Sequence, residues 1–287
     1  MFKILLIILS AVLPINLAYA NDNFKIATTI RPLELIIKDV VGNDAEVFSI
    51  LSDNYNPHGS MVSMSKVKML GEAKILFIIS KSFDKGAAKF TNVKTVELGL
   101  DSRLKIIENF HHKHVHKDEH IWLNPDNAMI IAERVVEEMC KIIPGRTEEF
   151  YARLEKFRNE NLRKVTEFKR NVPKIKNTAF YTFHNEYAYL TDYFGLKPFI
   201  DFDTHHHDGM SIDNVRELKA LSGNRNACLI ISSEHKSLKN IAFLKQNNIK
   251  YVFLDSEATK EGNYYQIGYK YAKIMEGIYN SILSCND

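Results

Sequence analysis

The alternation of strand-like and helix-like segments constrains the fold of this chain more than any other feature. From Phe24 onward, short runs of apolar and β-branched residues are followed by stretches whose apolar residues recur at helical spacing. The predicted strands cover residues 24–29, 45–51, 75–79, 93–98, 178–183, 197–202, 228–232 and 251–254. The predicted helices cover residues 33–41, 186–194, 212–221, 238–246 and 264–283. Such alternation predicts an α/β protein with mostly parallel sheets covered by helices.

A long segment between the two series predicts one continuous helix. Residues 147–171 contain neither proline nor glycine, whereas Pro144-Gly145 and Pro173 mark the expected ends of the helix. The chain has 287 residues, enough for two domains of roughly 150 residues each. We expect two parallel-sheet lobes joined by a single long rigid helix; an ordinary surface helix inside one domain is the alternative. The expected division is a lobe of residues 21–143, a linking helix of residues 144–172 and a lobe of residues 173–287.

The first twenty residues have the pattern of a secretory signal peptide. Lys3 precedes a short apolar run, and Ala18-Tyr19-Ala20 is a small-x-small cleavage site. A permanent membrane anchor is the alternative, but the run is only about half of the roughly twenty residues that span a bilayer. We expect residues 1–20 to be removed after Ala20 and the mature protein to be exported.

Composition and charge exclude several classes of protein. Hydrophobic residues make up 45% and charged residues 25% of the chain, which is typical of globular domains and not of disordered, collagen-like or multi-span membrane chains. The formal net charge is +3, with no long basic run, so we expect no nucleic-acid partner.

Export makes a disulfide possible among the three cysteines. We expect Cys228 to pair with Cys285, because this bridge ties the end of the chain to a core strand. Cys140 then remains as a buried, small apolar residue of a helix.

Most of the histidines form two tracts. The first contains His111, His112, His114, His116 and His120, and the second is the triplet His205-His206-His207. Neutral imidazole is a common ligand of zinc and related metals, so an exposed histidine-rich loop before His120 is a candidate metal-binding segment. A polar loop without a metal is the alternative for each tract, and the role of the triplet is left open.

Three histidines also stand near expected strand ends. His58 and His184 follow predicted strands, and His120 precedes Asn124-Pro125, an expected helix start in which Asn124 is the cap. In open α/β sheets, ligands bind beyond the carboxyl ends of the strands, so these side chains can converge on one cleft. Asp255 follows another strand, and three imidazoles with one carboxylate form a tetrahedral set suited to Zn²⁺. Glu234 or a water molecule is the alternative to Asp255 as fourth ligand.

These residues carry a resemblance to a known family. The matching elements are Pro57-His58, the Asp-Glu-His-Ile-Trp-Leu-Asn-Pro block of residues 118–125, His184 in a Thr-Phe-His-x-x-Tyr-x-Tyr context, Gly195-Leu196 and Ser233-Glu234. The chain resembles the zinc and manganese substrate-binding proteins of bacterial ABC uptake systems, and the zinc-uptake members most of all. The resemblance covers nearly the whole mature chain.

The resemblance implies a function and a set of ligands. It implies two α/β lobes joined by one rigid helix, a metal cleft between the lobes, a periplasmic location and an inner-membrane ABC permease as partner. His58, His120, His184 and Asp255 take the ligand positions, with His111, His112, His114 and His116 as an auxiliary loading loop. Manganese-type members tend to carry glutamate at the third position, so His184 favours Zn²⁺ as the transported ion. We expect a monomer.

Three other functions compete with high-affinity zinc capture. The first is the same capture role with manganese as the transported ion. A zinc-dependent hydrolase is another, since three histidines and an open position also describe catalytic zinc, but the chain lacks His-Glu-x-x-His and we expect no enzyme activity. A surface adhesin with a structural metal is the third.

Overall fold

The computed structural model describes residues 24–51, 62–89, 92–111, 114–183, 186–202, 212–232, 236–259 and 270–286. For residues 109–111, 114–116 and 212–214 it describes the backbone alone. Several predictions fall outside the described residues. They are the signal peptide of residues 1–20, the ligands His58 and His184, His112 of the histidine tract, the triplet of residues 205–207 and the alternative ligand Glu234.

The first lobe is built on a four-stranded parallel sheet, as predicted. Its strands are β1 (Lys25–Thr28), β2 (Glu46–Ser49), β3 (Ile75–Ile78) and β4 (Lys94–Glu97), in the order β2-β1-β3-β4. The helices of this region are α1 (Arg31–Val41) and α2 (Met64–Glu72). The side chains of β3 are buried throughout, as expected for a central parallel strand covered on both faces.

The histidine tract is a hairpin, so its description as a loop was wrong. Strands β5 (Glu108–His111) and β6 (His114–Lys117) pair antiparallel, with Asn109 opposite His116 and His111 opposite His114. Backbone pairing of Glu108–His111 with His114–Lys117 fixes the positions of these residues, a constraint that the polar composition of the segment does not reveal.

Two long helices follow the hairpin. Helix α3 (Pro125–Ile142) starts as predicted: the Asn124 side chain accepts hydrogen bonds from the backbone N–H groups of Asp126 and Asn127. Helix α4 (Thr147–Ile175) has 29 residues, about 44 Å at 1.5 Å per residue. It runs through Pro173, which we had expected to end it; proline in the last turn removes a single helical hydrogen bond. Among the described residues, no helix combines the length and apolarity needed to cross a membrane.

The second lobe has the same architecture. Its strands are β7 (Ala179–Thr182), β8 (Ile200–Asp201), β9 (Ala227–Ile231) and β10 (Tyr251–Phe253), in the parallel order β10-β9-β7-β8. Its helices are α5 (Ala188–Phe194), α6 (Ile212–Ala220), α7 (Leu238–Gln246) and α8 (Tyr271–Ser284). The prediction of two parallel-sheet lobes joined by a long helix is confirmed.

Helix α4 packs against elements of both halves of the chain. It contacts α1 and α3 of the first half of the chain and α8 of the second. Its buried side chains include Phe150, Leu154, Phe157, Val165 and Phe168. The ring of Phe168 stacks on Tyr279 of α8 with ring centroids 4.4 Å apart. A helix buried along this much of its length cannot bend without losing apolar contacts, so it acts as a stiff connector.

One arginine of α4 completes the end of α1. The Arg153 Nη1 atom donates to the backbone oxygen of Val41 at 2.7 Å and to Asp44 Oδ2 at 2.6 Å. Gly42 ends α1 with φ +64°, and a Cβ atom there would lie 2.8 Å from Arg153 Nε. The backbone angle therefore favours glycine, and the missing Cβ atom leaves room for the guanidinium group of Arg153.

The predicted pair of cysteines is joined, whereas the third cysteine is less buried than predicted. Cys228 of β9 and Cys285, just after α8, are joined in the structure, with Cα atoms 5.9 Å apart. Cys140 is the free cysteine; it is half-buried against the core, where we had expected full burial. The bridge connects the last helix to a central strand of the second lobe.

Candidate metal centre

His120 lies in a short turn between the hairpin and α3. A single 3-10 turn of residues 121–123 follows it. His120 is only 6% exposed. The backbone N–H of Asp118 donates to Ile107 O at 2.8 Å, which extends the hairpin toward His120. The hairpin on one side and the capped start of α3 on the other therefore fix the backbone that carries this histidine.

Asp118 fixes the imidazole ring of His120. The Oδ1 atom of Asp118 lies 2.9 Å from the backbone nitrogen and 2.8 Å from Nδ1 of His120. Because the carboxylate accepts from Nδ1, this nitrogen carries the hydrogen and Nε2 is left to bind a cation. A carboxylate behind a histidine is the usual second-layer partner of a metal ligand. Asp118 Oδ2 is buried and has no hydrogen-bond partner among the described residues.

Three aromatic side chains tie this turn to the second lobe. Trp122 Nε1 donates to Ser256 O at 3.0 Å, and the Tyr271 hydroxyl donates to Trp122 O at 2.5 Å. The Tyr189 hydroxyl donates to Asp118 O at 2.8 Å. All three rings are almost fully buried. These hydrogen bonds hold the segment that carries His120 between the lobes.

Two glutamates of the second lobe converge on His120. One potential ligand atom from each of His120, Glu186 and Glu257 lies within 4.8 Å of the other two. Glu186 follows β7 and Glu257 follows β10, so the group joins both lobes at the carboxyl ends of strands. Sequence reasoning missed both glutamates. The sequence feature that could have identified these glutamates is their position, since each lies two residues after a predicted ligand, His184 or Asp255.

The structure does not bring Asp255 into this three-residue group. Its Oδ2 atom accepts from the backbone N–H of Thr259 at 2.8 Å and from Thr259 Oγ1 at 3.1 Å. Its Oδ1 atom is buried without a hydrogen-bond partner in the described part of the chain. Burial raises the pKa of Asp255 above its ordinary value. The role of Asp255 as a ligand stays a prediction.

The backbone beside Glu257 is strained. Ala258 has φ +53°, a left-handed conformation that costs an alanine about 1 kcal/mol or more. The turn closed by Asp255 and Thr259 contains this residue, so the surrounding hydrogen bonds maintain the strain. Non-glycine residues in such conformations cluster at functional sites.

The electrostatic environment of His120 is negative. Burial by itself lowers the pKa of an imidazole, but the Asp118 hydrogen bond and the charges of Asp118, Glu186 and Glu257 outweigh it and raise the pKa of His120 to about 9. The same negative charges attract a cation. A metal ion that binds Nε2 takes the place of the proton held there at neutral pH.

Comparisons with known proteins identify the family. A putative metal-binding protein of Chlamydia trachomatis is 24% identical over 143 residues, 49% of this chain and 52% of the relative. The zinc-binding protein AdcA of Streptococcus pyogenes serotype M1 is 21% identical over 266 residues, 84% of this chain and 47% of the relative. The chain thus spans about half the length of these two curated relatives.

The fold comparison covers almost the whole chain. The crystal structure of ZnuA matches 93% of this chain and 100% of its own length with a TM-score of 0.75 and 18% identity, a likeness that concerns the fold. The family model described as zinc-uptake complex component A, periplasmic, matches residues 26–285, which include both lobes and the His120 turn. This chain therefore belongs to the family of periplasmic zinc-uptake complex component A proteins.

Proposed function

We propose that the protein captures Zn²⁺ in the periplasm with high affinity and delivers it to an inner-membrane ABC permease. The single observation that carries the proposal is the buried His120, which Asp118 orients through Nδ1 at 2.8 Å and which lies where the two lobes meet. A buried imidazole with a carboxylate behind it is suited to holding an ion. Relatives named for zinc binding and zinc uptake support zinc as the cargo.

The proposed ligand set contains His58, His120, His184 and Asp255. Three imidazole nitrogens favour Zn²⁺ over ions that prefer oxygen. The buried Oδ1 atom of Asp255 has no hydrogen-bond partner among the residues that the structure describes, and this supports its place in the set. The protein binds and releases its cargo without chemical turnover.

The location and the auxiliary site follow from the same proposal. Residues 1–20 direct export and are cleaved after Ala20, and the mature monomer meets the permease at the membrane. His111, His112, His114 and His116 bind additional Zn²⁺ weakly and keep it near His120. Replacing these four residues with serine should remove a weak binding phase and leave the tight site within about threefold, roughly 0.7 kcal/mol.

A growth experiment tests the function. A deletion strain of the native host should fail to grow when zinc is chelated, and the parent gene should restore growth. A gene encoding His120→Ala should not restore it, whereas His116→Ser, which removes an imidazole four residues away, should. Added zinc should rescue every strain. A deletion strain that fails only when manganese is depleted would assign manganese as the cargo and contradict the proposal.

A further inference from the structure

The amino ends of the strands in the second sheet carry a set of exposed cations. All four strands run parallel, so the segments that lead into them lie at one edge of the sheet, opposite the carboxyl ends at which the candidate metal centre lies. Six basic side chains lie in these segments or in the last turns of the helices before them, and all six are exposed. We call this set the basic rim; its members are Lys174, Lys176, Lys197, Lys219, Arg225 and Lys245.

No acidic residue neutralises the basic rim locally. The four segments that lead into the strands, residues 174–178, 195–199, 219–226 and 245–250, contain neither aspartate nor glutamate. Within the described part of the chain, none of the six side chains takes part in an ion pair. Like charges that share one edge repel one another, so the basic rim is a surface that an anionic partner stabilises.

The corresponding edge of the first sheet has its charges paired. Lys25, at the start of β1, lies 2.6 Å from a carboxylate oxygen of Glu72 and 3.6 Å from one of Glu46. Asp44, just before β2, lies 2.6 Å from Arg153 Nη1. The two lobes have the same architecture, so the fold itself does not require an unpaired basic edge.

Helix ends explain only part of the basic rim. Lys174, Lys219 and Lys245 lie in the last turns of α4, α6 and α7, where a cation interacts favourably with the helix dipole. Lys197 and Arg225 lie three and five residues beyond the ends of α5 and α6. The dipole effect falls off within the last turn of a helix, so it does not account for these two cations.

Hydrogen bonds join three of the four segments to one another. Ser222 Oγ, in the segment before β9, donates to the backbone oxygen of Asn247, in the segment before β10, at 2.6 Å. The backbone N–H of Ala179, at the start of β7, donates to Asn226 O at 2.7 Å. The cations therefore lie on one connected surface and not on independent loops. A surface held in this way loses little conformational entropy when several of its charges bind at once.

We propose that the basic rim binds the anionic phospholipid surface of a membrane. Residues 222–226 and 246–248 are all serine, glycine, asparagine, glutamine or arginine, so this part of the rim lacks the large apolar side chains that protein–protein interfaces concentrate at their centre. Lipid phosphates spread over a plane suit several cations held at one edge, and each lysine or arginine near an anionic surface strengthens binding about fivefold.

The position of the basic rim gives membrane binding a use. Attachment by this edge leaves the candidate metal centre, at the other edge, open to the solution from which ions are collected. It also keeps the protein close to a permease in the same membrane. This inference goes beyond the proposed function and does not depend on which ion the protein carries.

Charge-neutralising variants of the mature protein test the proposal. The rim variant combines Lys219→Gln, Arg225→Gln and Lys245→Gln. The matched control removes the same charge from three exposed lysines of the first lobe, as Lys74→Gln, Lys85→Gln and Lys89→Gln. Binding is measured by co-sedimentation with phosphatidylcholine vesicles that contain either no anionic lipid or about one third phosphatidylglycerol, over a range of sodium chloride concentrations.

The parent should bind the vesicles that contain phosphatidylglycerol, more weakly as salt rises, and should not bind phosphatidylcholine alone. The rim variant should bind at least tenfold more weakly and the control within threefold of the parent, with parental Zn²⁺ affinity in both. If the rim variant does not fold by circular dichroism, Arg225→Gln alone should bind about fivefold more weakly.

Three results overturn the inference. They are a parent that does not bind the anionic vesicles, a rim variant that matches the control, and displacement by sodium phosphate well beyond that by sodium chloride of equal ionic strength, which would assign the rim to free phosphate. Binding to soluble polyglutamate without binding to the vesicles would assign it to an acidic protein and is the first of these results. Failure of Zn²⁺ binding contradicts the proposed function alone, because vesicle binding is measured without metal.

Discussion

Replacing Asp118 with asparagine tests how the protein prepares His120 for a metal ion. The amide oxygen of asparagine can still accept from the backbone N–H and from Nδ1 of His120, which lie 2.9 and 2.8 Å from Asp118 Oδ1. The change therefore removes a buried charge and retains the hydrogen bonds. Replacing a carboxylate that supports a ligand histidine typically weakens metal binding about tenfold to hundredfold, or about 1.4–2.7 kcal/mol.

Proton competition acts in the opposite direction. In the parent, the pKa of His120 is about 9, so Zn²⁺ must displace a proton below that pH, and its apparent affinity should rise about tenfold per pH unit up to pH 9. Asparagine removes the hydrogen-bonded carboxylate that raises this pKa. If the pKa returns to the ordinary 6.5, proton competition falls by about a hundredfold at pH 7 but only about twofold at pH 9.

Weaker support of His120 and weaker proton competition together change how Zn²⁺ affinity depends on pH. A simple loss of packing would not change this dependence. Chelator-competition titrations from pH 6 to 9 should show Asp118→Asn binding Zn²⁺ as tightly as the parent near pH 7, or up to about tenfold more tightly. Near pH 9 the variant should be about fivefold to fiftyfold weaker. Asp126→Asn, at the exposed start of α3, is the control and should follow the parent throughout. Parallel curves, or equal affinities at pH 9, would refute the role given to Asp118.

Three further predictions concern stability. Mass spectrometry of the exported protein without reductant should link Cys228 to Cys285, whose separation of 57 residues corresponds to about 4 kcal/mol in the chain-entropy model; Cys140 in the bridge would contradict the pairing. Burial raises the folded-state pKa of Asp39 from 3.8 to about 7, so its contribution to the free energy of unfolding should fall by about 2–3 kcal/mol between pH 5 and 8. Urea titrations should show that Asp39→Asn removes this fall, and a variant with the parental slope would exclude Asp39 as its source. Phe168→Ala should lower the free energy of unfolding by about 3–5 kcal/mol, and a loss under 1 kcal/mol would show that α4 does not stabilise the lobes as described.

The sequence predicted most of the architecture because its signals are local. Apolar, β-branched runs marked the central strands, and Asn124-Pro125 marked the start of α3. Helix α2 was missed because Leu70 is its single fully buried residue, which leaves a weak apolar pattern. At the β5–β6 hairpin the sequence predicts a loop, because the polar, histidine-rich composition lacks the alternation of apolar and polar residues typical of a strand.

The site was less predictable because its contacts are distant in sequence. His120 was identified from the block around Trp122, and the structure places it in a buried turn between the lobes. Glu186 and Glu257 carry no local pattern of their own. They meet His120 only because the parallel strands β7 and β10 of one sheet end toward the same edge, a consequence of topology that residue types alone do not reveal.

The metal content of the exported protein is the most direct test of zinc capture. Protein is purified from the periplasm of its native host without added metal or chelator and analysed by mass spectrometry for all first-row transition metals. Parent protein should contain about one tightly held zinc ion per chain after dialysis, and His120→Ala should contain little. Manganese in place of zinc, or equal zinc in parent and His120→Ala, would contradict the assignment of a zinc site built around His120.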